Sequence, residues 1–282
     1  MINPQYSPRF IDVEKLLKPI SEEEPAGEYL RYESEYDKIE EFRKEDDPNL
    51  PQGVWETELK TADWQGVHDL TIEALQTKTK DLQLSAWLLE SLLNLHGYAG
   101  AVDGLYFLYQ MTLSYWDTGF PIIEDDDFDF RNAPYLWINS VLPEKVKSIP
   151  ITSPAVDDCK AFTFLEWEKT IHLENLAKQS ASARKQLDDE RVFTKAMFKK
   201  SAGQTPPEFF SDITENLETA IQITNELDSF LDEKCGKEAP SIQHLKTSLS
   251  DIHAQVDLLL KRKKAKTTDN EAETSTDAEL MN

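Results

Sequence analysis

Apolar residues recur at helical spacing along most of the chain, and the prolines mark where helices can end. All fourteen prolines fall outside four long intervals, which are 52–120, 155–205, 208–239 and 241–282. Because proline disrupts the interior of a helix, long helices can form in these intervals. Within them apolar residues stand three and four positions apart, the period of an amphipathic helix. The pattern predicts an all-α fold, arranged as a multi-helix bundle.

Three consecutive helices are predicted at the centre of this bundle, over residues 63–79, 81–96 and 98–115. Asp63 and Asp81 open the first two helices, and aspartate favours the N-cap position. Gly97 follows the second helix, where glycine commonly ends a helix. The second helix is apolar on nearly every side, with Glu90 as its only internal charge. We therefore expect neighbouring helices to surround it.

Two apolar stripes predict an antiparallel helical hairpin in the C-terminal part of the chain. Apolar residues alternate at spacings of three and four over 210–231 and again over 242–259, with a break at 234–240. Two such helices most simply fold back on one another. The first has an apparent capping box, in which Thr205 would cap the helix and Glu208 would reach back to it.

The sequence divides into four predicted segments. They are a lead segment at 1–18, a helical core at 19–152, a helical extension at 153–265 packed on the same core, and a disordered polar tail or linker at 266–282. The tail has almost no apolar residue to bury. Within the core segment, Ser34 is a candidate N-cap of a solvated helix that lies on the bundle.

The chain is strongly acidic, because 30 Lys and Arg stand against 53 Asp and Glu and give a net charge of −23 over 282 residues. Such a surface repels phosphate backbones and anionic lipid headgroups, so we expect neither nucleic-acid binding nor membrane insertion. We find no signal peptide in the first residues. Two distant cysteines, Cys159 and Cys235, fit a reducing cytoplasm. We expect a cytoplasmic protein that binds proteins with basic patches.

Motifs of the familiar enzyme classes are missing from the sequence. It has no GxSxG elbow, no GxxxxGK[ST] loop, no GxGxxG turn and no HExxH pair. The acidic run that begins at Asp125 resembles the start of an EF-hand loop, but Phe130 and Leu136 stand where that loop needs glycine and glutamate. The sequence therefore predicts no enzyme activity, no metal and no cofactor.

Two features supply candidate protein-binding residues. Trp55 lies in a polar segment, and a large rigid side chain provides much contact area for little entropy cost. The acidic loop provides the other three, Asp125, Asp126 and Asp127. The alternative for this loop is a solvated segment that forms salt bridges with neighbours such as Arg131.

Short motifs follow one another in a characteristic order between residues 19 and 262. They are Pro19–Tyr32, Ala62-Asp63-Trp64, Lys80-Asp81-Leu82, Ala86-Trp87-Leu88, Leu95–Gly100, Asp103-Gly104-Leu105, Tyr115-Trp116-Asp117, Phe120-Pro121, Leu136–Asn139, Ile149–Thr152 and Cys235–Ser241. In this order and spacing they resemble the ImpA N-terminal family, the front domain of TssA proteins of bacterial type VI secretion systems.

The resemblance implies a cytoplasmic, non-enzymatic assembly factor that links the membrane complex or baseplate to the sheath and inner tube. The implied partners are other type VI secretion subunits, namely baseplate, sheath, tube or membrane-complex proteins, and a second copy of the chain is a further candidate. Ring assembly belongs to the family's C-terminal domain and is not carried over to this chain. The alternative function is an acidic helical adaptor or chaperone of another pathway.

Overall fold

The computed structural model describes residues 6–46, 59–125, 127–180, 182 and 193–280, with side chains up to residue 265. Over these residues the chain forms nine α-helices and isolated β-bridges, without a β-strand. The helices are α1 (Val13–Leu16), α2 (Ser34–Arg43), α3 (Trp64–Thr77), α4 (Leu82–Ser114), α5 (Asp129–Lys147), α6 (Phe164–Ala177), α7 (Lys195–Gln204), α8 (Pro207–Cys235) and α9 (Gln243–Leu280), with a 3-10 turn at Gly236–Glu238. The predicted all-α fold class is confirmed.

The contacts between backbone positions divide the chain into two compact units. The first unit comprises residues 1–142 and 222–245, and the second comprises residues 143–221 and 246–282. Each unit therefore draws on two separate stretches of chain, and the boundaries fall within α5, α8 and α9. The predicted division into a core at 19–152 and an extension at 153–265 stays a prediction.

In the first unit, α3 and α4 begin at the caps that the sequence predicts. The Asp63 carboxylate accepts a hydrogen bond from the amide of Gly66 at 2.8 Å, and the Asp81 carboxylate accepts one from the amide of Gln83 at 2.7 Å. Gly97, with a φ of 60°, separates α4 into two helical segments. The predicted order of three central helices is thus confirmed.

A short segment at 78–82, from the end of α3 to the first residue of α4, pairs with chain on both of its sides; we call it the tie segment. On one side the Lys80 amide donates to the Ala26 carbonyl oxygen at 2.7 Å. On the other side the Phe120 amide donates to the Lys80 carbonyl oxygen at 2.8 Å, and the Leu82 amide donates back to the Phe120 carbonyl oxygen at 2.9 Å. The tie segment therefore exchanges backbone hydrogen bonds with two other stretches of chain without forming a sheet.

The beginning of the described chain is held on the buried carboxylate of Asp103 in α4. This carboxylate accepts hydrogen bonds from the amides of Arg9 at 2.6 Å and Phe10 at 2.7 Å, and from the hydroxyl of Tyr6. The Phe10 ring stacks on His96, with 3.8 Å between ring centroids. Part of the predicted lead segment is thus attached to the central helix.

Helix α2 differs from the prediction at its cap. Glu33 occupies the N-cap position, and Ser34 is the first helical residue. Tyr36 and Ile39 are buried, whereas most other residues of α2 are exposed. This placement agrees with the predicted solvated helix that lies on the bundle by a narrow apolar edge.

The second unit has an aromatic core around α6 and α7. Trp167 and Phe198 stack with 4.3 Å between ring centroids, and Phe162 meets Phe198 edge to face at 5.7 Å. A capping box between Thr163 and Glu166 begins α6. Large aromatic side chains bury much apolar area, so this cluster packs α6 against α7.

Thr205 does not form the predicted capping box with Glu208. Helix α8 begins at Pro207, and Thr205 instead follows the last residue of α7. Its hydroxyl donates to the Ser201 carbonyl oxygen at 2.9 Å and accepts from the Ser153 amide at 2.9 Å. The prediction is wrong because the hydroxyl is already engaged at the end of α7.

The two predicted C-terminal stripes correspond to α8 and α9. Within the second unit His253 Nε2 of α9 lies 3.3 Å from Glu218 Oε1 of α8. The antiparallel hairpin as a whole stays a prediction. The backbone of α9 is helical as far as Leu280, which differs from the predicted disordered tail or linker at 266–282. No proline or glycine follows Pro240, so the local sequence contains no strong helix breaker there.

The structure predicts that Gly27→Ala destabilises the first unit. Gly27 has a φ of 72°, and an added Cβ would lie 2.0 Å from the carbonyl oxygen of Lys78 in the tie segment. Left-handed backbone with such a clash costs an alanine about 2 kcal/mol or more. Urea unfolding followed by circular dichroism measures this loss. Gly203→Ala in α7 is the matched control, because its added Cβ meets nothing within 4 Å; equal stability of both variants would contradict the prediction.

Candidate functional site

The tie segment carries a fully buried lysine whose charge is satisfied by backbone oxygens. Lys80 Nζ donates to the carbonyl oxygens of Leu16 at 2.8 Å and Leu75 at 2.6 Å. Burial lowers the pKa of Lys80 to about 8. The contacts join the ends of α1 and α3, so the ammonium group acts as a structural link rather than as an exposed docking charge.

Asp81, the next residue, is also fully buried. Its carboxylate accepts hydrogen bonds from the Tyr36 hydroxyl at 2.6 Å and from the amides of Gln83 and Leu84. Burial raises the pKa of Asp81 to about 6, although these hydrogen bonds favour the ionised form and oppose the rise. Asp81 thereby joins α2 to the first turn of α4.

An arginine between two tryptophans forms the base of the neighbouring surface. The Arg43 guanidinium carbon lies 5.1 Å from the ring centroid of Trp87 and 4.9 Å from that of Trp137. Arg43 Nε donates to the buried carboxylate of Glu90 at 2.6 Å. This ion pair orients the guanidinium plane, and the two tryptophans, from α4 and α5, pack against it.

Above this base the first unit has a groove of about 390 Å³, which we call the aromatic groove. Its lining includes Tyr29, Tyr32, Phe130, Pro134 and Trp137. Two of these side chains project into solvent, since Tyr32 is 92% and Phe130 is 74% exposed. Exposed aromatic side chains on a rigid base are typical of protein-binding surfaces.

The acidic loop lies immediately before Phe130 in the chain. Asp125 has a φ of 52°, and the Asp127 amide donates to the Glu124 carbonyl oxygen at 2.8 Å. The Asp127 carboxylate accepts a hydrogen bond from the Asp129 amide at 2.8 Å, at the start of α5. Asp127 therefore organises the turn into α5, next to the aromatic groove.

The structure does not place the remaining predicted residues at the aromatic groove. Trp55 and Asp126 lie outside the described residues. Arg131, an expected salt-bridge partner of the acidic loop, instead points into the core, where Nη2 donates to the Gly119 carbonyl oxygen at 2.7 Å and the guanidinium lies 5.5 Å from the Trp116 ring centroid. Burial lowers the pKa of Arg131.

Sequence reasoning missed Tyr32, Phe130 and Trp137 as site residues. Tyr32 stands in a stretch rich in glutamate, and Phe130 follows alternating Asp and Phe residues. Aromatic residues flanked by charges are unusual in a core, and this signal could have indicated an exposed position. Trp137 is one of six tryptophans, and only the folded position beside Arg43 distinguishes it.

The described side chains do not include a group of three or more His, Cys, Asp or Glu residues that could hold a metal ion. Among the described helices, none combines the length and apolar character that crossing a bilayer requires. The fold and the aromatic groove together define an α-helical protein with a candidate protein-binding surface. Comparisons with known proteins show which proteins this chain is similar to.

Residues 17–140 match the family described as ImpA, N-terminal, type VI secretion system. This range contains the tie segment, Asp103, Arg131 and the aromatic groove. Over this range the chain is therefore similar to TssA proteins, and the resemblance predicted from the ordered motifs is confirmed.

Two relatives support this assignment. The type VI secretion system component TssA1 of Pseudomonas aeruginosa is 30% identical over 131 residues, which cover 46% of this chain and 37% of that protein. The chain thus matches little more than a third of the length of that curated relative. A solved structure of the N-terminal domain of TssA from Burkholderia cenocepacia, including the conserved ImpA_N region, is 27% identical with a TM-score of 0.78, over 93% of this chain and 98% of that domain.

Because the carboxyl group of Asp81 is buried, we expect the stability of the folded chain to depend on pH. The pKa of Asp81 is about 6 in the folded chain against an ordinary 3.8, so its contribution to stability is fully present below 3.8 and is lost as the pH rises through 6. The difference between these pKa values corresponds to about 3 kcal/mol. Between pH 4 and pH 7 the free energy of unfolding of the wild type should therefore fall by about 2 to 3 kcal/mol relative to that of Asp81→Asn.

Urea unfolding at both pH values measures this difference. Asparagine keeps the N-cap and can still accept from Tyr36, so Asp81→Asn removes the charge with little change in shape. Asp63→Asn, at the exposed cap of α3, is the matched control and should follow the wild type. If the wild type and Asp81→Asn have parallel pH profiles, the assigned buried ionisation is wrong.

Proposed function

We propose that the chain is a cytoplasmic, non-enzymatic assembly component of a type VI secretion system. It links the baseplate or membrane complex to the sheath and tube by protein contacts. Similarity to TssA1 and to the TssA N-terminal domain supports the secretion system. The proposed role as a link rests on the family resemblance and on the binding surface of the first unit.

The observation that carries this proposal is the pair of exposed aromatic side chains, Tyr32 and Phe130, beside a packed base of arginine and tryptophan side chains. The base is fixed by the contact of Arg43 with two tryptophans and by its ion pair with Glu90. A preorganised aromatic surface loses little entropy when a partner binds. The acidic loop at its edge would attract a partner with a basic patch and would disfavour acidic ones.

The test uses Tyr32→Ala and Phe130→Ala in the full chain. Each should lower recovery of at least one baseplate, sheath, tube or membrane-complex subunit about tenfold or more in a pull-down, because central aromatic contacts carry much of the binding energy. Type VI-dependent secretion should fall in parallel. Both side chains are exposed, so thermal unfolding should be unchanged.

Leu113→Ala is the matched control, since Leu113 is also an exposed apolar residue of the first unit, at 39%, but is not among the residues that line the aromatic groove. It should retain wild-type recovery and secretion. Wild-type recovery by both aromatic variants would contradict the assigned surface. If the wild-type chain recovers none of the subunits, the secretion role itself is wrong and an adaptor of another pathway becomes the better hypothesis.

A further inference from the structure

A second groove, of about 510 Å³, lies in the second unit between α7 and α9. In α7 the groove is lined by Lys195 and by several later residues. Among these, Phe198, Lys199 and Gly203 follow Lys195 by three, four and eight positions. This spacing corresponds to one face of a helix. Because α9 contributes a second such face, the groove is a trough between two helices.

The floor of this trough is apolar and open. Trp167, Phe198 and Leu258 contribute to it, and Leu258 is 41% exposed. A Cβ added to Gly203 would meet nothing within 4 Å, so the described chain leaves space above this residue. An apolar floor that remains in contact with water gains free energy when it is covered.

The rim of the trough has the opposite charge to the chain as a whole. Lys195, Lys199, Arg262 and Lys263 line the groove, and no Asp or Glu is among its described lining residues. Lys263 Nζ donates to the Gly203 carbonyl oxygen at 2.5 Å, which holds this cation at the end of α7. A cluster of four cations is notable in a chain with a net charge of −23.

We propose that this trough binds an acidic amphipathic helix of a partner protein. The apolar face of that helix would cover Trp167 and Leu258, and its Asp or Glu side chains would lie against the basic rim. Two helices side by side offer a groove into which the side-chain ridges of a third helix can pack. The interaction is independent of the aromatic groove, because all of its residues belong to the second unit.

The dimensions of the trough favour a short helical occupant. The lining residues of α7 extend from Lys195 to Gly203, which is about 12 Å at the rise of an α-helix. Two to three turns of a partner helix cover this length. Lys199 and Arg262, on α7 and α9 respectively, provide the charges for the two flanks of that helix.

The experiment measures binding of a fluorescent synthetic helix to the full chain by anisotropy. The probe is a peptide of about 18 residues, with leucines three and four apart and glutamates at the other positions. A second peptide with lysine in place of glutamate tests the charge requirement. The acidic peptide should bind, with an affinity that falls as salt is raised, and the basic peptide should bind at least tenfold more weakly.

Gly203→Trp is the decisive variant, because it fills the trough without replacing a packed side chain. It should abolish binding of the acidic peptide and leave the melting temperature unchanged or higher. Gly203→Ala, with its small Cβ, should bind like the wild type. Lys199→Glu and Arg262→Glu should together weaken binding tenfold or more, whereas Lys237→Glu, an exposed charge reversal in the first unit, should have little effect.

Three results would overturn the proposal. The first is absence of binding of the acidic peptide to the wild type at millimolar concentration. The second is wild-type affinity in Gly203→Trp or in the Lys199→Glu/Arg262→Glu variant, which would locate binding elsewhere. The third is a wild-type dimer in light scattering that Gly203→Trp converts to a monomer, since a second copy would then occupy the trough.

Discussion

The first unit depends on the burial of two adjacent charges, Lys80 and Asp81, in the tie segment. Neither forms an ion pair with the other in the described contacts; each is satisfied by hydrogen bonds to separate elements. A buried charge without such partners would cost several kcal/mol, so the fold is stable only when α1, α2 and α3 are all in place around this segment. The requirement makes the arrangement cooperative and gives the aromatic groove its fixed base.

The motif-bearing stretches supply both the buried links between helices and part of the aromatic groove, since Tyr32 and Trp137 lie within two of the motifs. Gly27, Lys80, Asp81, Asp103 and Arg131 all belong to the motif-bearing region, and the four charged residues among them are buried. These residues connect separate parts of the chain. Gly27 does so through close backbone approach, and the charged residues do so through hydrogen bonds to carbonyl and amide groups. The motifs therefore contribute to the scaffold of the first unit as well as to the aromatic groove.

The sequence predicted the elements whose signals are local, and missed those that depend on tertiary contacts. The caps at Asp63 and Asp81 and the break at Gly97 were correct because a single residue type determines each of them. Thr205 had an equally good local signal, but the amide of Ser153 engages its hydroxyl, and no local pattern could show this. Tyr32 and Phe130 have charged neighbours, a local signal of exposure, but only the folded chain brings the two residues to one groove.

The discontinuous make-up of the two units limits how the chain can be divided. Since the boundaries fall inside α5, α8 and α9, no single cut separates one unit from the other, and a cut within α8 would remove one part from each. Exchange of a unit between related genes would require three crossovers, each within a helix. The chain is consequently expected to be inherited and engineered as one piece.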